Sequence, residues 1–451
     1  MVSEENSGIT LYQSAGEVVT ALQAAGFKAY FVGGSVRDRL LGITAKDIDI
    51  ATSAKPDQVA TIFPDCKMVG ACFGVTLVKH NGISFEVAAF RRERNYLDGR
   101  RPEEISYTDD PETDARRRDF TVNAMFYDPV KDQVLDFFGG KSDLDRGIIR
   151  TVGDPDERFS EDYLRMLRAV RFASRLNFEI EAETASAIKR HAAKTAKLAP
   201  ERVKEELDRM LMGPLPSRAV KLLFELDILD AILPEVAAMH GVEQPEEFHP
   251  EGDVLIHTLL MLDHMKLPSP ALAWSILLHD VAKPATRFID EDGRIRFFGH
   301  EEEGAEIAAK IMSRLRHSGD LTDAVYHAVR NHMRFAHVDK MRTAKLRRLI
   351  GEENFATELE LHRIDCMGSH GKIDNYLLLL DRLSEFGSEP ELPRPFVNGR
   401  DLITAGLKPG PGFGGILNEI TDLQLSGDLK TRDEALDYLQ RNLSRYSASN
   451  T

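Results

Sequence analysis

The chain has 451 residues, 42% hydrophobic and 29% charged, the composition of an ordinary globular protein and too long for a single core; roughly two to four domains are expected. A formal net charge of −15 excludes a protein that coats nucleic acid indiscriminately, so any RNA contact has to come from local basic surfaces. No apolar run approaches the ~20 residues that span a bilayer, the start MVSEENSGIT lacks the basic and apolar regions of a secretory signal, and Cys66, Cys72 and Cys366 form no CxxC pair and fit a reduced compartment, so a cytoplasmic location is expected.

In chain order, a helix over about 13–25 leads into the β-rich run Ala29-Tyr-Phe-Val, which ends at Gly33-Gly34. Further short strands are expected at 48–51, 74–80, 83–90 and 134–137. From Ser160 onward Leu, Met and Ala recur at three and four, which is a helical pattern almost without interruption. Pro/Gly/Glu-rich breaks interrupt it at 244–253 and 387–394, and the tail after Leu443 reads as frayed. The expected architecture is α+β: a mixed-sheet head over 1–150, a helical neck over 151–240, a second functional domain over 241–370 and a helical tail over 371–451. Basic stretches lie at 91–101, at 116–118 and along the helix carrying Arg165, Arg168, Arg171 and Arg175; solvated faces are their commoner role.

The stretch FVGGSVRDRLLGITAKDIDIAT carries the main chemical signal. Gly33 and Gly34 let backbone approach a bulky anion, and a helix starting near Ser35 would point free N–H groups at phosphate. Ser35 and Arg37 add a hydroxyl and a guanidinium suited to a triphosphate. A Gly-Gly pair alone is more often only a tight turn. Asp47 and Asp49, however, lie two apart in a strand-like segment, so both carboxylates face one side, roughly 6–7 Å apart, and can hold Mg²⁺ against nucleotide phosphates. An isolated DxD is usually a solvated pair; one that follows GGSVRD is not so easily dismissed.

GGSVRD followed by DID resembles the class II tRNA nucleotidyltransferase and bacterial poly(A) polymerase family, within the polymerase-β-like nucleotidyltransferases. The resemblance implies that Asp47 and Asp49 bind the catalytic metals and that Gly34, Ser35 and Arg37 line the nucleotide. Glu86, in the strand-like SFEVAAF, could supply a third carboxylate, although a half-exposed strand glutamate is the commoner case. Residues 91–113 are charged, contain Gly and Pro and lack core residues, which reads as a flexible loop. RRRDFTVNA is similar to the family's second motif and implies nucleotide contact by Arg118, with Asp119 and Asn123 binding sugar or bracing the site. Asp136, Gly140 and Arg150 match the spacing of a hinge motif.

EDYLRMLRAVRFASR is the most informative helical element. On a helix Asp162, Arg165 and Arg168 share one face, and Arg171 extends the stripe. Cytosine and adenine each offer an amino donor beside a ring-nitrogen acceptor, so an Asp acceptor and an Arg donor can pair with either. Uracil and guanine would leave both protein groups unpaired, at ~1–3 kcal/mol each. The motif resembles the family's protein-based template, although an Asp–Arg ladder out of context would be a solvated salt-bridge face. PERVKEEL is similar to a neck motif in which Glu201 and Arg202 brace.

The C-terminal half carries His257, the pair His279-Asp280 in LLHDVAK, His300, His332 and Asp365. Imidazoles and carboxylates from different helices suit a divalent metal, whereas a lone histidine is usually a core residue. LLHDVAK with its flanking histidine segments resembles the HD superfamily of metal-dependent phosphohydrolases, and FHPEGDVLIHT resembles the start of the HD domain of some bacterial tRNA nucleotidyltransferases. Residues 370–451 match no motif. The resemblance implies template-independent addition of CMP and AMP from CTP and ATP to a tRNA 3′ end, with Mg²⁺ in the head, a divalent metal in the HD site, and neither membrane nor DNA as partner. Poly(A) synthesis, A-addition to ends already carrying CC, and an HD phosphohydrolase as the main activity stay open.

Overall fold

A computed structural model describes residues 5–69, 74–96, 102–386 and 393–448. By its internal contacts the chain falls into two compact units, residues 1–237 and 238–451.

The first unit opens with helix α1 (Glu5–Ala24), strand β1 (Ala29–Val32), helix α2 (Gly34–Leu40), β2 (Asp49–Thr52), α3 (Pro56–Ile62), β3 (Cys66–Val69), β4 (Val75–His80) and β5 (Ile83–Ala89). There follow β6 (Arg91–Tyr96), β7 (Pro102–Tyr107), α4 (Pro111–Arg116), β8 (Phe126–Asp128), β9 (Gln133–Leu135) and α5 (Gly140–Asp145). Seven strands form one sheet in the order β3-β4-β5-β2-β1-β8-β9. β2 runs parallel to β5; β1 is antiparallel to both β2 and β8. Strand β1 is buried along its length, as a run of apolar and aromatic residues requires in the middle of a covered sheet. Phe126 meets Tyr30 and Phe90 edge-on, with centroids 6.0 Å apart in each pair, while Tyr30 and Phe90 stack at 6.2 Å.

The segment expected to be a loop at 91–113 is instead ordered secondary structure where described. β6 and β7 pair as an antiparallel ribbon, Thr108 N–H bonds back to the Phe90 carbonyl, and Asp110 caps α4 through the Glu112 and Thr113 N–H groups; residues 97–101 lie outside the described residues. The ribbon was hidden because RRERNY offers no alternation of apolar and polar residues.

The neck continues the same unit with β10 (Ile148–Ile149), α6 (Pro155–Glu161), α7 (Leu164–Leu176), β11 (Glu179–Ile180), α8 (Ala182–His191), α9 (Pro200–Leu211) and α10 (Pro216–Glu225), then the short helices α11 (Leu229–Ile232) and α12 (Pro234–Ala237). Gly140, from the hinge-like motif, is forced: a β-carbon there would overlap the Thr121 carbonyl. Asp136 accepts the Gly140 and Lys141 N–H groups at 2.8 and 2.9 Å, and Arg150 pairs with Asp143 at 3.1 Å and Glu181 at 3.4 Å.

The second unit contains α13 (Val254–Asp263), α14 (Pro270–Leu278), α15 (Lys283–Thr286), a hairpin of β12 (Phe288–Ile289) and β13 (Ile295–Arg296), α16 (His300–Arg314), α17 (Gly319–Asn331), α18 (Thr343–Ile350), α19 (Phe355–Gly368) and α20 (Asp374–Phe386). α14 is apolar all round, which explains why it runs through the centre with Trp274 1% exposed. Leu379 of α20 joins a core with Phe335, Leu346 and Phe355. Residues 393–448 form α21 (Gly399–Thr404), α22 (Phe413–Ser426), α23 (Arg432–Arg441) and α24 (Leu443–Ala448) around a core of their own. The expected fraying after Leu443 is not found there, because Tyr446 is buried in that core. No helix among the described residues is long and apolar enough to cross a membrane.

Candidate functional site

Register builds the acidic site. Asp49 lies opposite Val32, the residue before the Gly33–Gly34 turn, so strand pairing alone sets the turn beside the carboxylates. Ile48 and Ile50 point inward and are buried, while Asp47 and Asp49 are exposed, so the strand period turns both acids to one side. Ile50 pairs with Val87 on parallel β5; one residue earlier on both strands, exposed Glu86 stands beside Asp49. Crowding by protein and the negative charges of Asp47 and Glu86 push the Asp49 carboxyl up to about 6, against a lesser pull from Arg118. Such a cluster is short of positive charge and fits a divalent cation.

Gly33 has φ 73° and caps α2, a conformation strained for any residue with a β-carbon. A β-carbon on Gly33 would lie 3.6 Å from the Arg118 guanidinium, and one on Gly34 3.5 Å from that of Arg37. Arg118 is held by Asp114 at 2.9 Å and lies 5.3 Å over the Phe126 ring.

Two residues expected to reach a triphosphate are turned elsewhere. The Ser35 hydroxyl is buried and donates to the Val32 carbonyl. Arg37 is 2% exposed; it donates to Asp38 at 2.6 and 2.8 Å and to Asn123 Oδ1 at 2.7 Å, and lies over Phe172. Arg37 is drawn inward because these acceptors satisfy its fork inside the protein. It belongs to a chain of polar contacts from Arg175 through Asp38, Arg37, Asn123 and Asp119 to Arg168. Burial opposes ionisation of Asp119, but the Arg168 guanidinium, 2.6 Å away, outweighs it and takes the carboxyl down to about 2.

The helical face expected to carry Asp162 with Arg165 and Arg168 is broken. Asp162 is extended, with φ −151°, at the junction between α6 and α7. Its carboxylate accepts the Leu164 N–H, starting α7, and both oxygens take the Arg202 guanidinium at 2.7 and 3.1 Å. Asp acts here as a helix-starting residue, a role favoured over a mid-helix position. Arg165 is buried against Glu161 and the carbonyls of Arg158 and Arg117. Arg171 bonds Glu206 at 2.5 Å and covers Phe172. Glu206 and Asp38 escaped the sequence reading because a buried ion pair has no sequence signature beyond a charged residue on a helix.

In the second unit, His257 on α13, His279-Asp280 at the end of α14, His300 at the start of α16, His332 just after α17 and Asp365 on α19 converge. The Nδ1 atoms of His279, His300 and His332 each lie 2.6–2.9 Å from the carbonyl three residues back, so Nδ1 carries the proton and Nε2 turns inward with a lone pair. His257 Nδ1 is 2.7 Å from Glu251 and its Nε2 3.1 Å from Asp365; His279 Nε2 is 3.0 Å from Asp280. Yet both ring nitrogens of His257, Nε2 of His279 and both oxygens of Asp280 are buried without an aligned hydrogen bond. Atoms so close and yet unbonded fit a shared cation. They divide into His257/His279/Asp365 and Asp280/His300/His332, each within 4.8 Å, with a third group, His249/Glu251/His257, alongside.

Burial lowers His332 to about 3, helped by the neighbouring His300 and His279. Burial also opposes charge on His257, but Asp365 and Glu251 raise it to about 9. His249, Glu251 and Lys283, whose ammonium is 2.7 Å from Asp280, were missed from sequence. The first two lie in a Pro/Gly/Glu-rich stretch that reads as a break; Lys283 follows HD at helical spacing and could have been found.

Residues 29–150 match the Poly A polymerase head domain, 177–239 the family described as "Probable RNA and SrmB- binding site of polymerase A", and 253–363 the HD domain. The chain is 32% identical over 432 residues to the CCA-adding enzyme of Lactobacillus helveticus, covering 94% of this chain and 95% of the relative. It is 47% identical over 214 residues to that of a Geobacillus species, 48% of this chain and 53% of the relative. The crystal structure of the Bacillus stearothermophilus CCA-adding enzyme in complex with CTP superposes with a TM-score of 0.73 at 27% identity, over 96% of this chain and 98% of that one. The chain belongs to the CCA-adding enzyme family of class II tRNA nucleotidyltransferases.

Proposed function

We propose that this chain extends the 3′ end of tRNA with CMP and AMP, using CTP and ATP and no nucleic-acid template, in the cytoplasm. The observation that carries it is the shared face of Asp47 and Asp49 beside the Gly33–Gly34 turn. The RNA 3′-hydroxyl attacks the α-phosphate and pyrophosphate leaves. Asp47 and Asp49, with Glu86 alongside, would hold Mg²⁺, which lowers the pKa of the attacking hydroxyl and offsets charge on the leaving group. Gly34 lets backbone approach the triphosphate and Arg118, beside the turn, receives it. Arg37, Asp119 and Asn123 position this wall from behind, as does Arg171 through Phe172; Arg168, a third exposed, faces the nucleotide.

Base choice falls to Asp162, as acceptor for the amino group of cytosine or adenine, and to Arg165, whose Nε and second Nη2 hydrogen are left for the ring nitrogen. Arg202 holds the Asp162 carboxylate in place. The test uses tRNAs ending before CCA, after C and after CC, each supplied with single nucleoside triphosphates. CMP twice and then AMP is expected; addition of AMP alone, or of a long A tail, would overturn the reading in favour of A-adding or poly(A) synthesis.

A second reading is favoured by the unbonded buried atoms of the HD cluster: a divalent metal there serves hydrolysis of a phosphate ester. Water adds to phosphorus, the ester oxygen departs, and a proton passes to it. His257, His279, Asp280, His300, His332 and Asp365 would hold the metal. Loss of phosphatase activity together with nucleotide addition in His279→Ala would refute two separate sites.

A further inference from the structure

Above the HD histidines lies a cavity of about 700 Å³, within the size range of small-molecule sites. Its lining includes Asp280, His300, His332 and Asp365, the cations Lys283, Arg296 and Lys372, and two further acids, Glu301 and Asp374. Two of these cations are anchored: Lys283 by Asp280 at 2.7 Å and Gln244 at 2.6 Å, Arg296 by Asp290 at 2.9 Å. Three phenylalanines line it: Phe297 is half-buried against the Lys283 ammonium, while Phe298 and Phe248 are left in water at 75% and 51% exposure.

Neither exposed ring is incidental to the metal cluster. Phe248 directly precedes His249, and Phe298 is two residues before His300, joined by Gly299 at φ 75°. Phe288, across the β12–β13 hairpin, backs Phe298 at a centroid distance of 5.4 Å and a tilt of 39°. An exposed phenylalanine forgoes the gain of burial, so aromatic rings held beside three cations and a candidate metal cluster point to a ligand that has both an anion and a flat apolar face. A nucleoside phosphate ester has both, and base–aromatic stacking tolerates any base.

We propose that Phe298 and Phe248 are specificity-determining residues of the HD site, stacking the base of a nucleoside phosphate ester whose phosphate lies over the histidine and aspartate floor. The fate of that ester rests on the hydrolytic reading above; its binding does not. The test uses the full chain with Mn²⁺ as the added metal. The chain's one tryptophan, Trp274, is buried, so in Phe298→Trp the emission change on adding ligand reports from position 298. Adenosine 3′-monophosphate is expected to quench it and ribose 5-phosphate to leave it unchanged. In Phe298→Ala, KM for adenosine 3′-monophosphate is expected to rise about tenfold with kcat and the hydrolysis of glycerol 2-phosphate unchanged. No quenching, quenching by ribose 5-phosphate alike, or an unchanged KM overturns the proposal. Base-dependent quenching in a protein that hydrolyses neither ester supports the aromatic clamp and overturns the hydrolytic reading instead.

Discussion

The two acidic centres of this chain are built in opposite ways. In the head, Asp47 and Asp49 stand exposed at the start of one strand, with Glu86 on the next. In the HD domain the candidate ligands come from five helical segments and are buried, apart from Asp365 at 20% side-chain exposure, each imidazole fixed by a backbone carbonyl or a carboxylate. Hard cations such as Mg²⁺ are commonly held by one or two carboxylates plus substrate phosphates, so an open pair suits a metal that is completed by the incoming triphosphate. A closed imidazole set suits a metal that stays between turnovers. On the proposed reading, exposure separates a ligand set shared with substrate from one supplied by the protein alone.

The comparison can be broken most sharply at the head. Asp47→Ala with Asp49→Ala is expected to lower nucleotide incorporation by about a thousandfold or more, since several kcal/mol of charge stabilisation is lost, while the thermal midpoint holds because both side chains are exposed. Normal incorporation by the folded double variant would end the two-carboxylate mechanism. At the other centre, His279→Ala is expected to remove tightly held divalent metal, read by elemental analysis of the purified protein, with CMP and AMP addition intact; undiminished metal content would show that the buried set is not a cation cage. A smaller effect separates selection from catalysis: Asp162→Ala should raise UTP and GTP misincorporation by about tenfold, the worth of one unpaired buried group, and an unchanged misincorporation ratio would remove Asp162 from base choice.

The last prediction concerns the support behind the head site. Asp119 has its pKa depressed to about 2 in the fold, so its ionised form stabilises the protein above the unfolded value near 4 and that contribution disappears as pH falls from about 4 to 2. Asp119→Asn should therefore cost about 2 kcal/mol at neutral pH, with the gap to wild type closing over that acid range in urea titrations. A gap independent of pH would mean that packing rather than charge is at stake.

Much of the architecture was legible because it is periodic. The alternation Asp47-Ile48-Asp49-Ile50 announces a strand with two acids on one face, and LLHDVAK follows an apolar helix whose end has to present something polar. What stayed hidden was whatever depends on a distant partner. Arg37 reads as a triphosphate ligand and is buried because Asp38 and Asn123 meet it there. Asp162 falls at helical spacing from Arg165, but an Asp that can cap the next helix and bind Arg202, forty residues on, breaks the helix instead. His249 and Glu251 sit in a stretch without periodicity, so only the resemblance of FHPEGDVLIHT, and no helical spacing, ties them to His257.

The line of contacts from Arg175 to Arg168 runs back and forth between α7 of the neck and the head. Its arithmetic does not close within the head alone. A fragment ending at residue 150 would keep Asp38 and Asp119 but lose two of the cations that compensate them, together with the helix that bears those cations. Cutting the chain there is expected to open the polar wall behind the glycine turn to water, so α7 serves as part of the head's own support.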